Sequence, residues 1–216
     1  MSEASDPKAA LPTRLVLIRH GQSRWNVEGR FQGQLDVQLS ELGERQAEAV
    51  GRRLAGESIG ALYASPLQRA LRTAAAIDRY HGLGIRVEPA LTEIDHGRWQ
   101  GQTEAELAAT DGERLRLWQL MPGRVQMPDG ERLYDVRRRA LEAVRRIVAS
   151  HPACTIVAVS HDLVIKIVLA EVLGMDYDHL GRLAIANTSL CVVESNGDPR
   201  LGQVVLMNDT SHLSSV

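Results

Sequence analysis

Three apolar stretches of this chain end in polar residues whose types suit the binding of an anion. They are residues 14–18 followed by Arg19 and His20, residues 60–64 followed by Ser65 and then Arg69, and residues 155–159 followed by His161. A guanidinium binds phosphate through two parallel hydrogen bonds. Two guanidiniums and two imidazoles would repel each other unless an anion lay among them. Each residue alone has an ordinary structural explanation, so the prediction of a phosphate site depends on the repetition at three strand ends.

The elements that must bring these residues together are those of an α/β fold, because short β-branched runs alternate with longer helical patterns. The predicted strands are residues 14–18, 60–64, 85–88, 155–159, 188–194 and 203–207. The last two flank the turn sequence Ser-Asn-Gly-Asp-Pro-Arg, which predicts an antiparallel hairpin near the sheet edge. In doubly wound sheets, ligands bind at the carboxyl ends of the strands. If the first, second and fourth strands are parallel neighbours, the two arginines and two histidines converge.

Capping residues and apolar periodicity predict the helices. The first begins after Ser40, and the second begins at Ser65-Pro66, with Ser65 as N-cap, and runs to about residue 80. A capping box of Thr103 and Glu106 opens a third helix that continues to about Leu120. Two more span about 130–149 and about 162–173, and Gly174 ends the last. We predict a single three-layer α/β domain over residues 14–208, with a mostly parallel central sheet flanked by helices and a small helical cap inserted at about 94–130. Residues 1–13 are predicted to form a flexible N-terminal tail, and 209–216 a C-terminal tail.

The composition argues against several function classes. The 216 residues carry a net charge of −2, with 44% hydrophobic and 24% charged residues, which is typical of a globular domain. Binding of nucleic acid or of a membrane surface is not expected, because such proteins are usually basic. The sequence shows no signal-peptide h-region and no membrane span, so we expect a cytoplasmic protein. Cys154 and Cys191 lie far apart, which excludes a disulfide scaffold.

The residues around the strand ends also form an ordered series of motifs. The series comprises Arg-His-Gly-Gln-Ser-x-Trp-Asn at 19–26, Phe-Gln-Gly-Gln-Leu-Asp at 31–36, Ser-Pro-Leu-Gln-Arg-Ala at 65–70, Glu-x-x-x-Gly-x-Trp-x-Gly at 93–101, Pro-Asp-Gly-Glu at 128–131 and Val-Ser-His at 159–161. In this series the chain resembles the histidine phosphatase superfamily, also called the phosphoglycerate mutase-like family, and in particular its phosphatase-type branch. The resemblance covers about residues 14–208, and the motifs together are a strong signal, whereas Arg-His-Gly alone would be a weak one.

The resemblance implies a role for each matching residue. His20 would be the nucleophile that takes the phosphoryl group, and Glu93 would donate and accept the proton. The residues implied to bind the phosphate are Arg19, Asn26, Gln32, Arg69, His161 and Asp162, the last through its backbone N–H. A phosphate dianion does not repel a neutral imidazole, and the arginines can stabilise the transferring charge. We therefore expect neither a metal nor a cofactor.

A few positions leave alternatives open or depart from the family pattern. Asp95 is a rival to Glu93 as the acid, although the motif spacing favours Glu93. His96 has no companion at metal-ligand spacing, so we interpret it as a surface residue. Asp162 replaces a glycine that many family members carry. We expect its carboxylate to point away from the pocket, towards His161 or the helix start.

These features predict metal-independent hydrolysis of small phosphate monoesters through a phosphohistidine. The first alternative is a phosphoglycerate mutase primed by 2,3-bisphosphoglycerate. It is disfavoured because the span from Glu93 to Gly130 is only 37 positions (130 − 93), and a short cap is poorly suited to exclude water from a phosphohistidine. A second alternative is a non-catalytic module that binds a phosphorylated ligand or a protein.

The expected partners are a small phosphorylated metabolite and the phosphate ion released as product. A homodimer is a candidate assembly, because members of this family often form dimers. The physiological substrate is left open among sugar phosphates, phosphoglycerate derivatives, nucleotide-pathway monoesters and ribazole phosphate. Specificity is expected to come from the cap, where no spacing rule applies.

Overall fold

The structure is a computed structural model that describes residues 12–196, 198, 202–214 and 216. The strands of this described part are β1 (Thr13–Arg19), β2 (Ala61–Ala64), β3 (Ile85–Val87), β4 (Thr155–Ser160), β5 (Leu190–Ser195) and β6 (Gln203–Asp209). The α-helices are α1 (Arg24–Glu28), α2 (Glu41–Leu54), α3 (Gln68–His81), α4 (Glu104–Thr110), α5 (Gly112–Leu120), α6 (Leu133–Ala149) and α7 (Asp162–Leu173).

The strands form one sheet in the order β3-β2-β4-β1-β5-β6. β1 and β2 both run parallel to β4, with Arg19 opposite Ser160 and Ala64 opposite Val159. β5 and β6 are antiparallel and complete one side of the sheet, as the hairpin pattern predicted. The expectation that the first, second and fourth strands are parallel neighbours is confirmed. Their carboxyl ends therefore meet at one edge of the sheet, and so do the residues that follow them.

Helices cover both faces of the sheet. Successive side chains of each strand point to opposite faces, and both faces carry apolar side chains that must be buried. Leu15 of β1 packs in the apolar cluster that includes α6 and α7, and Val16 packs in the cluster formed with α2 and α3. The central strands are almost entirely apolar because they are covered on both faces. The predicted fold class, a three-layer α/β domain with a mostly parallel sheet, is confirmed.

The helix after β2 begins later than its sequence signals predict. Ser65 and Pro66 indicated an N-cap and a first helical position, but α3 begins at Gln68 with Leu67 as N-cap and no side-chain cap bond. The Ser65 hydroxyl lies instead 2.7 Å from Nε2 of His161, at the end of the neighbouring strand. The predicted helix start was wrong because this serine makes a tertiary contact rather than a cap.

The cap segment contains a broken helix where one continuous helix was predicted. The capping box at the start of α4 forms, but α4 ends at Thr110 and α5 begins at Gly112. Between them, Asp111 leaves the helical region, and its carboxylate accepts a hydrogen bond at 2.9 Å from the buried indole N–H of Trp99. Pairing that buried donor interrupts the helix that was expected to run to Leu120.

The chain ends differ from the predicted tails where they are described. Residues 1–11 of the predicted N-terminal tail lie outside the described residues, as do 197, 199 and 200 of the predicted hairpin turn. At the other end, β6 includes Asp209, and Ser211–Leu213 form a 3₁₀ helix that contacts α2. The segment predicted as a C-terminal tail thus contains ordered elements. Among the described helices, none is long and apolar enough to cross a membrane.

Candidate active site

His20 follows β1 and is 3% exposed. Its Nδ1 lies 2.7 Å from the carbonyl oxygen of Gly21. A carbonyl can only accept, so Nδ1 carries the proton and the lone pair of the neutral ring is on Nε2. Arg69 Nε donates to that Nε2 at 3.3 Å. Burial, together with the charges of Arg69 and Arg19, holds the pKa of His20 well below its usual range, so the ring is neutral at neutral pH.

Two glycines allow the turn that carries His20 to lie directly against the start of α2. A Cβ on Gly21 would lie 2.5 Å from the carbonyl oxygen of Gly43, and a Cβ on Gly43 would lie 1.9 Å from that of Gln22. Both distances are far below van der Waals contact, so neither position accepts a side chain. The Gly21 N–H also donates to the Thr73 hydroxyl at 3.0 Å. Backbone packing therefore fixes the direction in which the His20 ring points.

Arg69 lies on the first turn of α3 and is 1% exposed. Besides its contact with His20, it donates from Nη1 to the carbonyl of Leu35 at 2.8 Å and from Nη2 to that of Gly33 at 2.7 Å. Burial lowers its pKa to about 10, so the guanidinium stays charged at neutral pH. Three of its five N–H groups have partners, and the other two can bind an anion.

Arg19 and His161 each hold a buried polar atom without a partner. Arg19 Nη1 donates to the carbonyl of Ile185 at 2.6 Å, but its Nε has no hydrogen-bond partner among the described residues. His161 is fully buried, with Nε2 2.7 Å from the Ser65 hydroxyl and with Nδ1 unpartnered in the same part of the chain. The His20 and His161 rings lie 5.1 Å apart. Since buried polar atoms are normally paired, these two are placed to bind a ligand.

The electrostatics of this cluster favour a negatively charged ligand. Burial, with Arg69, His20 and Arg19 nearby, holds the pKa of His161 well below its usual range. The free site therefore holds two neutral imidazoles beside two guanidiniums. A bound dianion would raise the pKa of His161 again, because a nearby negative charge favours the protonated ring. His161 could then donate from Nδ1 to an oxygen of the anion.

Glu93 reaches this cluster from irregular backbone that follows β3. Its carboxylate accepts from the next backbone N–H at 3.0 Å and from the N–H of Leu163, at the start of α7, at 3.4 Å. Burial, and the nearby charge of Asp162, raise its pKa, which favours the protonated carboxyl. A carboxyl that keeps its proton can act as a general acid. The rival Asp95 instead closes a turn by accepting from the Gly97 N–H at 2.8 Å.

The carboxylate of Asp162 does not point to His161 as expected. Its Oδ1 lies 3.6 Å from Arg19 Nη1 and its Oδ2 lies 2.7 Å from Lys166 Nζ, one turn along α7. It also lines the same cavity as Glu93. It therefore lies between Arg19 of the cluster and the first turn of α7, which is the second of the two directions expected for it. The physical reason is that two cations flank it there and compensate its charge.

Asn26 and Gln32, both predicted to bind phosphate, lie on the segment that follows the His20 turn. The Ser23 hydroxyl lies 3.1 Å from Asn26 Oδ1 and 2.7 Å from Gln32 Oε1. Ser23 and Asn26 form the capping box of α1, a helix that the sequence analysis missed. Asn187, which no motif marked, donates to the His20 carbonyl at 2.9 Å. These contacts hold the loops around His20 in place.

A cavity of about 370 Å³ opens beside Glu93. Phe31, Trp118 and Leu163 give it apolar walls, and Lys166 contributes a positive charge. It lies between α7 and the cap, on the acid side of the cluster. Glu93 and Asp162 line this cavity, and both also interact with arginines of the cluster around His20.

His96 lines this cavity and is 8% exposed, so its interpretation as a surface residue was wrong. Its ring stands edge-on to Phe31 and Trp118, with ring centres 5.0 and 5.6 Å apart. Burial lowers its pKa to about 4, so it is neutral at neutral pH. Its Nδ1 is buried without a hydrogen-bond partner among the described residues. Its burial is explained by Phe31 and by Trp118 of the cap, neither of which the sequence could assign to this position.

A metal ion in a protein needs several imidazole, thiolate or carboxylate ligands close together. In residues 12–196, 198, 202–214 and 216, no three His, Cys, Asp or Glu side chains are grouped so that they could hold a metal ion. His20 and His161 face arginines rather than carboxylates. The chemistry of the donor set is therefore that of an anion site.

Several known proteins are similar to this chain in sequence and in fold. Phosphoserine phosphatase 1 of Hydrogenobacter thermophilus is 33% identical over 93% of this chain and 94% of its own length. A probable phosphoglycerate mutase of Photorhabdus laumondii is 33% identical over 94% of this chain and 95% of its own. Three longer mycobacterial proteins are 37% identical over 94% of this chain, which spans 55% of their length.

Two solved structures are also similar. Bacillus stearothermophilus YhfR superposes with a TM-score of 0.89 at 35% identity, covering 93% of this chain and 99% of that one. A mycobacterial glucosyl-3-phosphoglycerate phosphatase, solved in complex with VO3, superposes with a TM-score of 0.83 at 32% identity, covering 91% of this chain and 99% of that one. The sequence also matches the histidine phosphatase superfamily (branch 1) over residues 15–210. The chain belongs to the histidine phosphatase superfamily.

Proposed function

We propose that the protein hydrolyses small phosphate monoesters without a metal, and that Nε2 of His20 carries the phosphoryl group between two steps. Family membership and the named phosphatase relatives make the chain a phosphatase of small phosphate esters. The phosphohistidine, the absence of a metal requirement and the role of each residue are the parts that we propose. The observation that carries the proposal is the neutral Nε2 of His20, which meets Arg69 Nε at 3.3 Å, in a cluster that also holds the buried, unpartnered Arg19 Nε and His161 Nδ1.

In the first step, the lone pair of His20 Nε2 gives up its hydrogen bond from Arg69 Nε and forms a bond to phosphorus, while the bond from phosphorus to the leaving oxygen breaks. Arg19, Arg69 and His161 hold the equatorial oxygens, whose charge they stabilise in the transition state. The protonated carboxyl of Glu93 gives its proton to the leaving oxygen, so the organic group departs as a neutral alcohol. The bond from Nδ1–H of His20 to the Gly21 carbonyl keeps the ring oriented throughout.

In the second step, the ionised carboxylate of Glu93 accepts a proton from a water molecule. The water oxygen forms a bond to phosphorus, and the bond between phosphorus and Nε2 breaks. Phosphate leaves, His20 is neutral again, and Glu93 carries the proton that it needs for the next turnover. Atoms and protons balance over the cycle, and one carboxyl serves as acid and then as base.

The cavity beside Glu93 suits a compact organic leaving group that carries a polar substituent. Its walls of Phe31, Trp118 and Leu163 offer apolar contact, while Lys166 and Asp162 offer one charge of each sign. Phosphoserine and phosphorylated sugar acids, the kinds of substrate that the relatives' names indicate, are of this size and polarity. We place this chain's substrate in the same broad class.

The decisive experiment is phosphate release from a panel of small monoesters in excess EDTA. The panel contains phosphoserine, 3-phosphoglycerate, glycerol phosphate and p-nitrophenyl phosphate. We expect release to survive EDTA, to vanish in His20→Ala and to persist in His81→Asn. His81 ends α3, about 18 Å along the helix from Arg69, and provides a matched histidine control. Acid-labile phosphate trapped on the wild type after rapid quenching, and missing in His20→Ala, would identify the intermediate.

The alternative activities predict different outcomes of the same assay. A mutase would convert 3-phosphoglycerate to 2-phosphoglycerate faster than it releases phosphate, once primed with 2,3-bisphosphoglycerate. A binding module would release no phosphate from any ester and would bind inorganic phosphate equally well in Glu93→Gln. A homodimer, proposed from the family resemblance, is tested apart from activity by light scattering, with a mass twice the 23.8 kDa of one chain as the supporting result.

A further inference from the structure

The segment that carries Glu93 has no regular secondary structure to hold it. It begins with a 3₁₀ turn at Pro89–Leu91 and continues as irregular backbone as far as His96. Carbonyl groups in such backbone need partners from elsewhere in the fold. A proton donor must also stay within hydrogen-bond reach of the leaving oxygen, so the position of this segment matters for catalysis.

Arg139, in the middle of α6, supplies those partners with all five of its N–H groups. Its Nη1 donates to the carbonyls of Ala90 at 2.8 Å and Thr92 at 2.6 Å. Its Nη2 donates to the carbonyl of Glu93 at 3.0 Å and to Glu131 Oε2 at 2.9 Å, and its Nε donates to Glu131 Oε1 at 2.9 Å. One planar side chain thus holds three carbonyls of the segment at fixed distances.

Glu131 closes the arrangement from the other side. It makes a two-point ion pair with Arg139, and its Oε2 also accepts from the Asp95 N–H at 2.9 Å. Its own N–H donates to the Asp95 carbonyl at 2.9 Å. The segment is therefore held before and after Glu93 by one ion pair that is about three-quarters buried, Arg139 being 21% and Glu131 24% exposed in their side chains.

We propose that Arg139 and Glu131, which together we call the clamp, act as positioning residues that hold the carboxyl of Glu93 against the leaving group. This inference rests on the proposed function. Neither residue is placed against the phosphate, since every N–H of Arg139 is already paired. They act through the backbone that carries the acid.

Arg139 and Glu131 also compensate each other's charge. An unpaired guanidinium next to Glu93 would stabilise the carboxylate and so weaken it as an acid. Glu131 neutralises Arg139, so the guanidinium can serve as a five-point connector without imposing its charge on the acid. Lysine carries the same charge on a compact ammonium and cannot reproduce the planar five-donor geometry. Arg139→Lys should therefore fail where a purely electrostatic role would be rescued.

The test compares two leaving groups in each variant. An activated aryl ester, p-nitrophenyl phosphate, needs little proton donation, whereas glycerol phosphate needs a full proton on a poor leaving group. The measurements are kcat/KM on both esters and the pre-steady-state burst of p-nitrophenol. They are made on wild type, on the single variants Glu93→Gln, Arg139→Gln, Arg139→Lys and Glu131→Gln, and on the double variant of Glu93→Gln with Arg139→Gln. Arg138→Gln is the matched control, because Arg138 is exposed on the same helix and pairs only with Asp135 among the described contacts.

We expect all three clamp variants (Arg139→Gln, Arg139→Lys and Glu131→Gln) to lose up to about 100-fold in kcat/KM on glycerol phosphate, the loss that a misplacement of about 1 Å can cause. The burst on p-nitrophenyl phosphate should stay within about threefold of wild type, and Arg139→Gln should add no further loss in the Glu93→Gln background. An equal loss on both esters, rescue by Arg139→Lys, or full additivity with Glu93→Gln would overturn the proposal. If Arg139→Gln does not fold, Arg139→Lys and Glu131→Gln decide the same question.

The wild-type and Glu93→Gln arms separate this proposal from the proposed function. A wild type that releases no phosphate contradicts the proposed function itself. A phosphatase whose Glu93→Gln variant loses both esters equally keeps its activity class but lacks the acid that the clamp would serve, and this too would overturn the clamp. Selective loss in Glu93→Gln without selective loss in the clamp variants would overturn the clamp alone.

Discussion

The two sides of the active site are built in different ways. On the phosphate side, His20, Arg69 and His161 are each at most 3% exposed, and they follow neighbouring strands of one sheet. On the leaving-group side, the cap consists of short helices and 3₁₀ turns, and Leu120 is 58% exposed. The phosphate side is ordered by the sheet itself, whereas the leaving-group side depends on individual side chains that tie irregular backbone together.

This difference divides the expected effects of substitution. Changes on the phosphate side should slow every substrate alike, because every substrate carries the same phosphoryl group. Changes on the leaving-group side should discriminate among substrates, because the organic groups differ. The variants below test that division.

The largest effect is expected from Arg69→Met. It removes a buried positive charge from the transferring phosphoryl group, and we expect kcat/KM to fall by about 10³- to 10⁵-fold. Aryl and alkyl esters should lose equally. Steady-state kinetics on both esters measures this, with Arg72→Met on the exposed face of α3 as control. A loss confined to one ester would contradict the expectation that changes on the phosphate side slow every substrate alike.

Glu93→Gln should have the next largest effect, and a selective one. The amide cannot donate an acidic proton, so alkyl esters should lose about 10²- to 10⁴-fold while aryl esters lose far less in the phosphorylation step. The slope of log rate against the pKa of the leaving alcohol is the measurement, and it should become steeper in the variant. An unchanged slope would remove Glu93 from the role of acid.

Asp162→Asn should change the pH dependence by several-fold in rate rather than by orders of magnitude. Asp162 raises the pKa of Glu93, so its neutralisation lowers that pKa and leaves Arg19 and Lys166 to lower it further. The alkaline fall of kcat on alkyl esters should therefore begin at lower pH. KM should decrease in parallel, because the pocket becomes more positive. Glu142→Gln, an exposed change of the same sign on α6, should alter neither.

His96→Gln tests the cap through stability rather than rate. The pKa of His96 is about 4 in the folded protein and about 6.5 in an unfolded chain. The unfolded state thus takes up a proton first as pH falls, and stability is lost below about pH 6.5. The contribution of His96 to that loss between pH 7 and pH 5 is about 2 kcal/mol by linkage. Urea unfolding at both pH values should show the smaller loss in His96→Gln, and an identical loss would place the ring in water.

The same division separates what the sequence could predict from what it could not. The strand ends were predictable because apolar runs stop there: Arg19 and His20 come directly after residues 14–18, and His161 comes two positions after residue 159. Ser65 was misassigned because a serine before a proline looks the same whether it caps a helix or binds a histidine. The helix predicted from Thr103 to Leu120 is interrupted at Asp111, whose carboxylate accepts from the buried indole N–H of Trp99. That contact is tertiary, so the local sequence gives no sign of it.

The sequence gives even less indication of the residues that organise the leaving-group side of the site. Arg139 is one of several arginines in an amphipathic helix, and only the folded chain shows that its five N–H groups meet the carbonyls around Glu93. His96 was interpreted as exposed because its burial depends on Phe31 and Trp118, which are distant in sequence. Contacts made to irregular backbone have no period, so pattern analysis cannot anticipate them.

The contact between Gly21 and Gly43 has a consequence for how mutational maps of this enzyme should be understood. None of the polar contacts of the site involves Gly43, yet a single methyl group there would lie 1.9 Å from the carbonyl oxygen of Gln22, in the turn that carries His20. A saturation scan scored by activity alone would therefore rank Gly43 with the catalytic residues. If the scan also measures protein abundance, substitutions at Gly43 should lower abundance and activity together. Substitutions that only remove a catalytic group should lower activity and leave abundance unchanged.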